Sequence, residues 1–113
     1  MKLQPNGVFA ITQAGACVVQ SSDYPAIQKS TLLATQSGPM LVIDVKIHPV
    51  FKPSSSSRLI RNGVGVIMPQ HVVFAISEEP VTFYEFALFF RDYFRCKNAL
   101  FLDGTISAYF LLN

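Results

Sequence analysis

The stretch Asn98-Ala-Leu-Phe-Leu-Asp-Gly-Thr-Ile-Ser107 carries the decision about the fold. Ala99 to Leu102 is a continuous apolar run, too short for a helix and the right length for a buried strand. Asp103-Gly104 follows, a dipeptide suited to a tight turn, because glycine accepts positive φ and aspartate bonds its own backbone. A second apolar run, Ile106 to Leu112, continues the chain. Asp103 is therefore expected at the end of a buried strand, where a rigid element can hold a catalytic or ligand-binding acid. A plain hairpin with an Asp-Gly turn accounts for the same residues, and the stretch alone does not choose between the two.

Immediately upstream lies the clearest helix. Thr82 can cap the first free amides and Glu85 can reach back to the cap amide. Phe83, Phe86, Phe90 and Tyr93 or Phe94 recur at helical spacing and form one apolar face. Arg91, Arg95 and Lys97 fall late, where the helix dipole favours cations, and the helix is expected to end near Arg95.

Further upstream the pattern turns to strands. Val8 to Thr12 and Ala16 to Gln20 read as a hairpin around Gln13-Ala14-Gly15. Ser21 to Pro25 reads as a polar break, and Ala26 to Ser30 as one helical turn. Thr31 to Thr35 and Met40 to Asp44 read as extended, with a turn at Val45-Lys46 that lacks the usual glycine or asparagine. Ser54 to Ser57 is a run of serines suited to a surface loop. Asn62 to Ile67 and Val72 to Ser77 form a second hairpin around Met68-Pro-Gln-His71, and Pro80 halts the strand. The order implies one α+β domain over residues 1–113: an antiparallel or mixed sheet with one long aromatic helix packed on a face.

Composition bounds the function. Half of the 113 residues are hydrophobic and 14% are charged, against roughly 25% charged in an ordinary soluble domain. Apolar surface is therefore expected to face another chain, most simply as a homodimer. A net charge of +2, scattered along the chain, gives no nucleic-acid footprint. No apolar run is long enough to span a membrane, and no signal peptide opens the chain, which reads as cytoplasmic if it is complete. Cys17 and Cys96 have neither metal nor redox spacing and read as reduced apolar residues, with a bridge between them left open. No metal-ligand spacing and no nucleophile on a glycine elbow occurs, so no metal or cofactor is expected. His48 and His71 border turns and are minor candidates for a catalytic base.

Two further stretches offer polar chemistry. In Gln36-Ser-Gly-Pro39, Gly38 would let the backbone approach a ligand, Pro39 would set the exit, and Gln36 and Ser37 offer neutral donors and acceptors, although a plain loop accounts for the tetrapeptide on its own. Arg61, before Asn62-Gly63, can bind phosphate or carboxylate in a fork, or simply be solvated.

Taken together, Gln36-Ser-Gly-Pro-Met-Leu-Val42, Arg61-Asn-Gly-Val-Gly-Val66, Phe86-Ala87 and Asn98-Ala-Leu-Phe-Leu-Asp-Gly104 resemble the phosphodiester glycosidase family. The resemblance is to its uncovering-enzyme-like domain and is strongest with a bacterial branch known as a domain of unknown function. It implies hydrolysis between a sugar anomeric carbon and a phosphodiester oxygen. By position, it assigns Asp103 and Arg61 to catalysis and Gln36, Ser37, Gly38, Gly104 and Ser107 to a sugar-phosphate ligand. The family's Gly-Gly-Ser element is altered here to Gly104-Thr105-Ile106-Ser107. Asn6-Gly-Val-Phe9 matches a later family segment, so the family's N-terminal portion is expected to be missing. Two functions follow: a hydrolase, possessing full or reduced activity, and a non-catalytic, oligomeric sugar- or phosphate-binding descendant.

Overall fold

The computed structural model describes residues 6–102. In chain order the strands are β1 (Gly7–Thr12), β2 (Gly15–Gln20), β3 (Thr31–Ser37), β4 (Met40–Ile43), β5 (Lys46–Ile47), β6 (Asn62–Met68) and β7 (His71–Ile76). Helix α1 (Phe83–Leu88) and strand β8 (Asn98–Leu102) complete the set. The domain is α+β, but its strands divide into two sheets, ordered β2-β1-β3 and β5-β4-β8-β6-β7. Every strand pairing in both is antiparallel.

Strand β8 occupies the centre of the larger sheet and has a core on each side. Leu100 and Leu102 pack with Phe9, Val18, Met40 and Val64, between the two sheets. Ala99 packs with Phe86, Ala87, Phe90 and Cys96 under the helix. An unbroken apolar run is what a strand covered on both faces requires, since alternation would leave a polar side chain in one of the cores. The result is three layers: small sheet, large sheet and helix.

Strand β6 solves the same problem differently. Val64 faces the core between the sheets, whereas Gly63 and Gly65 lie under the helix. A Cβ on Gly65 would stand 2.6 Å from Cys96 Sγ and 2.8 Å from Phe90 Cδ1. The glycines therefore let the phenylalanine rings rest on the backbone of the sheet.

Thr82 caps α1 as expected: its hydroxyl accepts from the Glu85 amide at 3.0 Å, and Glu85 Oε1 accepts from the Thr82 amide at 2.9 Å. Arg58 pairs with the same carboxylate. Those contacts, the Arg58 hydrogen bond first and the Thr82 amide second, hold the Glu85 carboxyl down to about 2 from its ordinary 4.5. A carboxyl whose pKa is lower in the folded state contributes stability that is full above the unfolded value and lost as pH falls through the folded one. Urea midpoints measured from pH 5 to pH 2 should therefore fall more gently for Glu85→Gln than for the wild type. Parallel profiles would remove Glu85 from the acid sensitivity.

The expected aromatic helix is present over 11 residues, but its second half is not α-helical. After six α-helical residues the chain winds as a π-turn over Phe89–Tyr93, with the Phe94 amide donating to Phe89 O at 3.2 Å. Arg95, at φ 63°, ends it. The wider turn moves the inner face by one position. Phe86 and Phe90 are buried, Phe94 is half-buried against the same core, and Tyr93 is 70% exposed, stacked on Phe89. A continued α-helix would have brought Tyr93 inward as readily as Phe94.

Other differences are local. Residues Ser21–Ala26 and Gln28–Ser30 are 3-10 turns. The hairpin between β4 and β5 turns at Asp44 and Val45, one residue earlier than expected, with φ of 49° and 71°. The pairs Ile43↔Lys46 and Val42↔Ile47 leave those two residues as the loop. The Asp44 and Val45 amides donate to Asn98 Oδ1 and Lys97 O at 3.1 and 2.8 Å, bracing a conformation that a β-branched residue resists. Cys17 and Cys96 are both free.

Candidate functional site

Antiparallel pairing gathers the separate motifs at one end of the large sheet. Asn62, at the start of β6, pairs with Leu102, at the end of β8. On the other side of β8, Met40 pairs with Leu100, and Phe101 N donates to Pro39 O at 3.0 Å. The start of β4 and the start of β6 thus flank the end of β8, two strand spacings or roughly 10 Å apart. The Ser37-Gly38-Pro39 segment is the crossover from the small sheet to the large one, and its Gly38–Pro39 peptide is cis. Ser37 is buried at the end of β3, opposite Gly7. Gln36 is exposed, and its Nε2 donates to Ser21 Oγ at 3.2 Å.

Arg61 directly precedes β6 and is buried, with 3% of its surface exposed. Its Nε donates to Val81 O at 2.8 Å and its Nη2 to Ser57 O at 3.0 Å. The guanidinium carbon lies 3.7 Å from the centre of the Phe83 ring. The Arg61 backbone is held as well, its amide donating to Ser77 Oγ at 2.9 Å and its carbonyl accepting from Ser77 N at 2.8 Å. Burial lowers the Arg61 pKa from its ordinary value, yet a guanidinium remains a cation in any protein. Arg61 is therefore neither a solvated surface arginine nor an open fork. It is a fixed positive charge joining the serine loop to the approach to α1. Asp103, Gly104 and Ser107 lie outside the described residues.

Three neighbours at this end carry polar groups whose placement sequence reading did not supply. Asn6 Oδ1 accepts from Met40 N at 2.6 Å, and Asn6 Nδ2 lies 3.5 Å from His48 Nε2. Nδ1 of His48 accepts from Val50 N at 3.2 Å, and partial burial lowers the pKa of the ring. Asn62 Oδ1 is buried with no hydrogen-bond partner among the described residues. Asn6 and Asn62 were visible in the motifs containing them, but nothing local assigns an asparagine to a backbone amide 34 residues away. Among the described residues no group of three or more His, Cys, Asp or Glu could hold a metal ion. No helix there is long and apolar enough to cross a membrane.

A curated Escherichia coli (strain K12) protein, uncharacterized protein YigE, is 34% identical to the chain over 109 residues. The match covers 96% of this chain and 42% of that protein, so the chain spans less than half of its relative's length. No solved structure matches significantly. The family model for phosphodiester glycosidases matches residues 2–113, which is nearly the whole sequence, and the chain belongs to the phosphodiester glycosidase family.

Proposed function

We propose that the chain hydrolyses a sugar phosphodiester at the bond between the anomeric carbon and the phosphate oxygen. The observation that carries this reading is the meeting of Ser37-Gly38-Pro39, Arg61 and the end of β8 at one end of a sheet. Asp103 follows Leu102 directly in the chain. A phosphate leaving group departs as a stable anion and needs less protonation than an alkoxide, so a fixed guanidinium can replace the usual carboxylic acid. In this scheme Arg61 neutralises the phosphate as the C–O bond breaks and its electron pair passes to the phosphate oxygen. Asp103 accepts a proton from the water that attacks the anomeric carbon, or stabilises the oxocarbenium-like centre. Gln36, Ser37 and the Gly38 and Gly104 backbone orient sugar and phosphate oxygens, with Ser107 beyond them.

Hydrolysis of a sugar 1-(methyl phosphodiester) in ¹⁸O-water tests this. The label should enter the sugar and not the phosphate, and Asp103→Asn should slow turnover by about a hundredfold or more. Label in the phosphate would make the chain a phosphodiesterase. Turnover independent of Asp103 would remove that residue.

One observation favours a second reading, a non-catalytic, oligomeric binder of sugar or phosphate: two of the Arg61 donors are already engaged by backbone carbonyls. A two-fold dimer belongs to this reading. Among the described residues β3 pairs with β1 alone, and its Leu32 and Leu33 are 67% and 51% exposed. An open edge bearing leucines invites a second copy. Light scattering should report about twice the 12.5 kDa chain mass, and Leu33→Lys should return it to one. A wild-type monomer would overturn the dimer.

A further inference from the structure

Beneath the serine loop lies a cavity of about 260 Å³, lined in part by Lys52, Ser54, Ser55, Ser57, Arg61 and Phe83. Ligand pockets of drug size run to roughly 300–1,000 Å³, so this one suits a small ligand. Its charge is one-sided. Neither ion pair among the described residues, Arg58 with Glu85 or Arg91 with Asp92, involves Arg61. The carbonyls of Ser57 and Val81 and the face of Phe83 solvate the Arg61 guanidinium but do not cancel its charge. Lys52 adds a second cation on the exposed side. No carboxylate is among the described lining residues. A buried cation ordinarily has an anion beside it, because desolvation is otherwise uncompensated.

We propose that this cavity binds a phosphate group, with Arg61 as its fixed floor and Lys52 and the hydroxyls of Ser54, Ser55 and Ser57 as the groups that close on the oxygens. Phosphate presents several strong acceptor oxygens, and the cavity offers two cations and three hydroxyls to meet them. The proposal rests on the hydrolase reading only in taking the ligand to be phosphate-bearing. It adds Lys52 and the serine loop to the residues that select it. Lys52 also explains how a rigid arginine could recognise a ligand: Arg61 is immobilised, whereas the lysine stem and the serines lie in an exposed loop.

The test is a titration of the ¹⁵N-labelled chain with inorganic phosphate, followed by amide chemical shifts. Saturable shifts should concentrate on residues 52–57, Arg61 and Tyr84, which also lines the cavity. Lys52→Gln should raise the dissociation constant about fivefold, the upper range for one exposed ion pair. Lys46→Gln, an exposed lysine elsewhere, should leave it unchanged. Replacing the buried Arg61 would disturb the fold, whereas Lys52 is exposed and its replacement leaves the packing intact. Shifts spread evenly over surface lysines, or indifferent to Lys52→Gln, would overturn the proposal.

A second titration with the sugar 1-(methyl phosphodiester) separates the two readings. Phosphate binding that depends on Lys52, without turnover, would leave this site standing and remove the hydrolase. Turnover that depends on Asp103, with no saturation at residues 52–57, would do the reverse.

Discussion

Phe90→Ala should lower the unfolding free energy by about 3–5 kcal/mol, the penalty of deleting a buried phenylalanine. Phe90 is completely buried and meets Phe86 edge to face, with ring centres 5.1 Å apart and planes at 85°. Its underside rests on Gly65, where there is no side chain to move into the vacated space. The backbone of β6 is fixed by ladders to β7 and β8 and cannot follow. A site that cannot collapse retains its cavity, which puts the expected cost toward the upper end. Urea unfolding should show a lower midpoint at an unchanged slope. Tyr93→Ala, on the same winding but 70% exposed, should cost under about 1 kcal/mol. Equal losses at the two positions would mean that the π-turn does not divide an inner face from an outer one.

Arg61→Ala should cost about 3 kcal/mol or more, because hydrogen bonds to a charged group contribute about 1.5–3 kcal/mol each and two are lost. The Ser57 carbonyl would lose its Arg61 donor, and the Val81 carbonyl would keep only the Leu59 amide at 3.1 Å. Val81 also forms an isolated bridge with Leu59, so the damage should spread along the 57–61 segment. Amide exchange at Leu59 and Val81 should quicken more than exchange in β1. Arg61→Lys keeps the charge but replaces a planar fork by a single ammonium, which cannot hold two carbonyls in the same directions. It should therefore recover only part of the loss. An Arg61→Ala protein as stable as the wild type would show that water replaces both bonds at no cost. The guanidinium would then be held for a ligand and not for the fold.

Much of the architecture was legible because its signals are local. The capping box at Thr82 and Glu85, the apolar run of β8 and the paired hairpins each fall within a few residues. The division into two sheets was not legible. Met40 to Val42 and Ala99 to Leu102 carry the same unbroken apolar signal whatever second layer covers them, and no residue announces which layer that is. The π-turn was equally hidden, since Tyr93 and Phe94 are adjacent aromatics and either satisfies helical spacing. At the site, each motif was visible as a stretch of sequence, whereas the burial of Arg61 depends on carbonyl groups that every residue possesses. Asn6 and His48 meet only because the chain crosses between sheets at Pro39.

The position of β8 also orders events in time. It is the last strand among the described residues, yet it is the middle strand of its sheet, with β4 on one side and β6 on the other. During synthesis, β4 and β6 leave the ribosome with no partner for their inner edges until residues 98–102 appear. Domains are made N-terminal end first, at roughly 5–20 residues per second, so this interval is set by translation and not by diffusion. The β1–β2–β3 sheet can form early, but the large sheet must close in one late step that joins distant segments. A nascent chain stalled before Asn98 should therefore bind chaperones more strongly than one released a few residues later.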